Sequence, residues 1–223
     1  LDPQFLDVTR RSVLAAVFRA HAANDRSFAE LLELLRQESR NRQSRTVIET
    51  VDRQIASLHE KYLQTPATHV WGDSQDIWGD RPPFRNSGNI LARVELFAGE
   101  LEEIHSDMED KHREGWRALL GEIARLKPGH VVPKECLTFA LKALSAPPSK
   151  KAEECFDLKL SRKTFAFPET LRPLVEDIAN SILSIDLQTR ITRSRALHTL
   201  VEKFERAYQR TVRQAGRLTF LDI

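Results

Sequence analysis

The chain holds 223 residues, of which 41% are apolar and 30% charged, a globular balance that excludes a disordered tail or a membrane-embedded segment. The formal net charge of +2 points to no partner by itself, so any basic surface has to be local. No apolar run approaches the ~20 residues of a membrane span and no signal peptide is visible. The two cysteines, Cys136 and Cys155, lie outside any CxxC pair and fit reduced thiols in the cytoplasm.

Only 8 glycines occur, and a chain poor in Gly and rich in Glu, Arg, Leu and Ala favours helices. Val13, Leu14, Val17 and Phe18 repeat at helical spacing behind a candidate cap at Thr9. Ser27 and Glu30 have capping-box spacing ahead of Leu31, Leu32, Leu34 and Leu35. A third helix starts near Ser44, with a seam of Val47 or Ile48, Val51, Ile55, Leu58 and Tyr62, and Pro66 bounds it. Residues 66–87 read as an irregular loop in which Trp71-Gly72-Asp73 is echoed by Trp78-Gly79-Asp80. Two such indoles either stack on bases or pin the loop to the helices as apolar anchors, and anchoring is the plainer use.

The clearest periodicity follows. Ile90, Val94, Phe97, Leu101, Ile104 and Met108 alternate by four and three, and the register continues through Gly115 or Trp116, Leu119, Ile123 and Leu126 to Pro128-Gly129. Unbroken, this predicts one helix of roughly 40 residues, with Gly115 as the candidate break. A shorter helix spans about 133–145. Residues 146–168 read as a polar linker with Phe156, Phe165 and Phe167 as anchors. From Thr170 a last helical pattern runs through Leu174, Val175, Ile178, Ile182 and Ile185, weakens at Thr189 and Thr192, and resumes from Leu197 to Ala215. No strand–helix alternation appears. The expected fold class is all-α, a bundle of long antiparallel helices with irregular loops and no significant sheet, forming a single unit 1–223.

Enzyme signatures are missing: the sequence has no GxxxxGK[ST], GxSxG, HExxH or GxGxxG. His105, Glu109 and His112 fall on one face of the expected helix and could offer two imidazoles and a carboxylate to a metal, but Glu102, Asp107, Asp110 and Glu114 make that face a solvated acidic one. No metal site and no catalytic residue is assigned.

The positive signal is at the C-terminal end. From 187 to 217 there are eight basic residues (Arg190, Arg193, Arg195, Lys203, Arg206, Arg210, Arg213, Arg217) against Glu202 and Glu205, a local charge of +6. Arg206, Arg210, Arg213 and Arg217 step by four, three and four, which makes one stripe about 200° around from the apolar seam. Arginine grips phosphate with two donors at once, so the stripe suits a nucleic-acid backbone. The same pattern also suits a merely solvated face offset by acidic neighbours. Arg206, Arg210, Arg213 and Arg217 are the first candidates for DNA contact, with Arg190, Arg193 and Arg195 second.

Two stretches carry a family resemblance. Leu1-Asp2-Pro3-Gln4-Phe5 is followed by a helix and by Asp25-Arg26-Ser27-Phe28-Ala29-Glu30. Leu197, Leu200, Phe204 and Tyr208 lead to Gly216-Arg217-Leu218-Thr219-Phe220-Leu221-Asp222-Ile223. Both resemble the UvrD/Rep-type superfamily 1 DNA helicases, in particular the RecB and AddA subunits of helicase–nucleases (exonuclease V beta subunit-like). In that family a "DPxF" segment follows the first helicase motifs, and a long helix of the form "LxxLxxxFxxxYxxxKxxxGxLxFxDL" leads back into the motor. Thr211 or Arg213 stands where the family often shows Lys, and Leu221 where it often has Asp, Ser or Ala. The stretch between the two motifs corresponds to the inserted helical subdomain 1B. The resemblance implies a piece of an ATP-dependent DNA helicase, a hydrolase with an exonuclease activity in some members, acting in double-strand break repair and recombination. A start at Leu1, with Met108 the only methionine, agrees with a piece cut from a longer chain. ATP and Mg would then be held by a motor core outside this sequence, and subdomain 1B would guide duplex or forked DNA without base specificity. The competing expectation is a helical scaffold that docks partner subunits through the Trp71–Trp78 loop and the acidic 95–114 face.

Overall fold

The computed structural model describes residues 3–21, 29, 49, 51–53, 55, 57, 89–150, 152–160 and 163–214. The capping box at Ser27 and Glu30, the loop 66–87 with both of its indoles, and Arg217 with the closing LTFLDI lie outside these residues. The described part is mostly helical and carries one two-stranded sheet. None of its helices is long and apolar enough to cross a membrane.

The chain divides into two compact units, Leu1–Ile77 with Arg190–Ile223, and Trp78–Thr189. In the first unit, helix α1 (Pro3–His21) buries Val13, Leu14 and Val17. These join Val51 and Ile55, both helical, and Leu200, Val201, Phe204 and Val212 from the C-terminal helix. The i, i+3, i+4 spacing read from the sequence is the buried stripe here. Asp52 is also buried and takes both neighbouring guanidinium groups of α1: Arg10 Nε donates to Oδ1 at 2.7 Å and Arg11 Nε to Oδ2 at 3.1 Å.

In the second unit, the expected 40-residue helix is two helices, α2 (Ile90–Ile104) and α3 (Asp110–Ala124). The break is not at Gly115. It falls at 105–109, where Ser106 and Asp107 supply turn-forming residues and the Met108 N–H closes a turn on the His105 carbonyl at 3.0 Å. The apolar register survives because Met108 is buried at the turn and α3 folds back along α2. Arg117 thus reaches Glu102 at 2.9 Å, and the Trp116 ring meets Phe97 edge-on at 5.9 Å. Helix α4 (Lys134–Leu144) buries Cys136, Phe139, Ala140 and Ala143.

The polar linker expected at 146–168 is instead largely a hairpin. Strands β1 (Cys155–Leu160) and β2 (Lys163–Pro168) pair antiparallel, with Phe156 opposite Phe167 and Leu158 opposite Phe165. Period-two alternation puts all four of these side chains into the core, so the anchoring role of the phenylalanines holds while the backbone around them is ordered strand. An all-α assignment with no significant sheet therefore has to yield to a mostly helical one with a small sheet. The hairpin's edges are covered. Asp157 N–H donates to the Pro147 carbonyl at 3.0 Å, Lys142 Nζ donates to the Lys159 carbonyl at 3.3 Å, and the His105 ring donates from Nε2 to the Ala166 carbonyl at 3.0 Å. Gly115 lies within α3 rather than at a helix break, beside Leu160, where an added Cβ would make an ordinary van der Waals contact at 3.5 Å.

Helix α5 (Arg172–Tyr208) gives Val175, Ile178, Ile182 and Ile185 to the second unit's core and its later turns to the first. Its seam weakens at Thr189 because that buried hydroxyl has another task. Thr189 Oγ1 accepts from the Gly129 N–H and donates to the His130 carbonyl, each at 3.2 Å, and so fastens the Pro128-Gly129 turn. Gly129 has φ of +85°, which only glycine adopts cheaply.

Candidate nucleic-acid interface

The basic surface is built by α5 where it runs beside α1. Asp52 fixes α1 by clamping Arg10 and Arg11. Burial pushes its carboxyl upwards in pKa, but the two guanidinium groups outweigh this and hold it below the ordinary carboxylate value. With α1 so placed, Ala16, Val17 and Ala20 form one wall of a cleft of about 420 Å³, and Lys203, Arg206, Ala207 and Arg210 form the other. The alanines at i and i+4 leave room for the long basic side chains. On a helix with 100° per residue, positions 203, 206 and 210 lie within about 60° of arc, so three cations face one opening.

The expected stripe is only partly realised. Arg206 and Arg210 are exposed and share the cleft. Arg206 also pairs with Glu202 one turn away, a surface pair worth under about 1 kcal/mol. Arg213 is withdrawn from the stripe: its guanidinium is half-buried, ion-paired with buried Glu205 and 5.7 Å from the Tyr208 ring centre. The cause is the wide π-helical turn Gln209–Arg213, in which the Gln214 N–H reaches the Gln209 carbonyl at 2.9 Å. In an ideal α-helix residue 213 would stand about 80° away from 205. A wider turn advances fewer degrees per residue, and brings Arg213 back over Glu205.

The second-rank arginines also separate. Arg195 is exposed and about 20° from Arg206 on the same helix, roughly 17 Å along it. Arg190 and Arg193 are rotated by about 140° or more from Arg206 and face elsewhere. Lys203, counted among the basic residues of the sequence but not placed in the stripe, joins Arg206 and Arg210; its position three before Arg206 and seven before Arg210 was the available signal.

The one-face arrangement of His105, Glu109 and His112 is undone by the α2–α3 turn. Both imidazoles abut Phe165 edge-on, at 5.4 and 5.9 Å between ring centres. Burial first, and nearby Lys163, keep the His105 pKa below the usual histidine value despite its bond to Ala166 and the charge of Asp107. Among the described residues no group of three or more His, Cys, Asp or Glu side chains could hold a metal.

Comparison of the chain with protein-family models, curated proteins and solved structures returned no match.

Proposed function

We propose that residues 1–223 form a DNA-contacting accessory subdomain, of the 1B kind, in an ATP-dependent helicase of helicase–nuclease type that repairs double-strand breaks in the cytoplasm. Its helices would be arranged as a long antiparallel bundle, and ATP and Mg would be held elsewhere in the parent enzyme. The observation that supports the DNA reading is the convergence of Lys203, Arg206 and Arg210 on one cleft. Three cations on adjacent turns suit successive phosphates of a backbone, and among the described residues that line the cleft the other side chains are Ala16, Val17, Ala20 and Ala207, none of which can read a base edge. The contact is therefore non-specific and salt-dependent.

The test is a fluorescence-anisotropy titration of the chain with a forked duplex. Wild type should bind with Kd of roughly 10⁻⁴–10⁻⁶ M at physiological salt, and K203Q/R206Q/R210Q should weaken binding by about tenfold or more. Unchanged affinity in the triple variant would remove the cleft from the interface. The parentage has its own check: flanking sequence with a phosphate loop ahead of residue 1 and an acidic DExx strand beyond residue 223 would support a helicase, and different flanks would sink it.

A further inference from the structure

The second unit carries a cavity that the DNA reading does not use. It measures about 650 Å³, within the range of small-molecule pockets, and opens where α3, α4 and β1 meet. Its body is apolar or small: Gly115, Ala118, Leu119, Phe139 and Leu160. Gly115 lines it without a side chain, next to Leu160.

The charges on its rim are unevenly placed. At the end nearer the start of α4 stand Glu122, Lys134 and Glu135, and Glu122 is itself matched by Arg125 at 3.0 Å. Both of these carboxylates act on the thiol of Cys136, in the first turn of α4. At the other end stand Lys142, in the last turn of α4, and Lys159 of β1. Glu135 and Lys142 are seven residues apart on one helix, so the two ends are separated by about 10 Å. Lys142 Nζ donates a hydrogen bond to the Lys159 carbonyl, which holds it at the rim. Among the described residues no carboxylate pairs with either ammonium group. An apolar trough thus ends in two unmatched cations.

We infer that this cavity binds an amphipathic organic anion, a long-chain carboxylate whose hydrocarbon lies over Leu119, Phe139 and Leu160 and whose carboxylate meets Lys142 and Lys159. The apolar body supplies the driving force through burial, and the two ammonium groups fix the direction of the chain through charge-assisted hydrogen bonds. A cationic head at the same end would meet like charge.

Isothermal titration of the full chain with dodecanoate, kept below its micelle concentration, tests this. One saturable site is expected. K142Q/K159Q should weaken it by about tenfold, a change of one charge-assisted contact or more. Ala118→Phe, which fills the exposed wall of the trough, should abolish it. Butyrate, lacking the hydrocarbon, and dodecyltrimethylammonium, carrying the wrong charge, should both bind far more weakly. K203Q/R206Q/R210Q should bind dodecanoate like wild type, since its changes lie in the other unit. If Ala118→Phe fails to fold, the lysine variant decides, because both lysines reach the surface. Absence of a saturable site, undiminished binding in K142Q/K159Q, or equal affinity for the cationic chain would each overturn the assignment.

Discussion

At the scale of single residues, burial separates side chains that look alike in the sequence. Cys136 is fully buried on α4, and its thiol is pushed up to about 11, first by desolvation and then by the charges of Glu122 and Glu135. Cys155 is half-exposed at the start of β1. The thiolate is the reactive form, so Cys136 should resist alkylation while Cys155 reacts. Counting modified thiols with iodoacetamide at pH 8 should give one per native chain and two in denaturant, and Cys155→Ser should leave none in the native protein. Asp52 makes the complementary case for a carboxyl group. Its folded pKa is depressed, so its contribution is fully present above the unfolded value near 4 and is lost as pH falls through the lower folded value. Asp52→Asn should cost about 2 kcal/mol in urea unfolding at pH 7, where the charge that accepts from Arg10 and Arg11 is removed. The gap from wild type should shrink below pH 4. Equal stability of the two proteins at pH 7 would mean that α1 is not held by this cluster.

At the scale of elements, hydrophobic period was legible and chain breaks were not. Val94, Phe97, Leu101, Trp116, Leu119 and Ile123 are all buried, as their spacing required. The turn between α2 and α3 hid inside that spacing because Met108, at the turn, keeps the register that an unbroken helix would have had. Gly115 was the obvious local breaker, yet it lies inside α3, where one glycine is tolerated. The hairpin was written in the sequence as alternation, Phe156-x-Leu158 and Phe165-x-Phe167, but Lys, Asp, Glu and Ser around it weigh as linker. What orders it is tertiary: Phe167 contacts the rings of Phe97, His105, Trp116 and Phe156 at 5.1–6.1 Å. Phe167→Ala should therefore cost about 3–5 kcal/mol, as for other buried phenylalanines. Thr164→Ala on the same strand, exposed on its opposite face, should stay within about 0.5 kcal/mol. Comparable losses from the two, measured by chemical denaturation, would mean the hairpin is held by its ladder rather than by its aromatic face. The basic site was half legible for a similar reason: helix phase identified Arg206 and Arg210, and the π-turn that turns Arg213 inwards has no sequence signal.

At the scale of the whole molecule, a formal charge of +2 is too small to hold a polyanion, so any DNA affinity must come from where the cations sit. This separates a local mechanism from a global one. Replacing Lys203, Arg206 and Arg210 by Gln lowers the formal charge by three, from +2 to −1. Replacing Lys111, Arg125 and Lys127 by Gln lowers it by the same amount, but these exposed residues lie in the second unit. If net charge governed encounter, both variants would lose affinity alike. If the cleft is the contact, only the first should lose it. The salt dependence gives a second reading of the same experiment, because each phosphate neutralised releases counterions whose loss appears as slope. In a plot of log Kobs against log salt, the cleft variant should be shallower than wild type by about 2 to 3, while the second-unit variant keeps the wild-type slope with at most a small offset. A common slope for all three proteins would show that the cleft cations never touch the backbone, whatever the affinities.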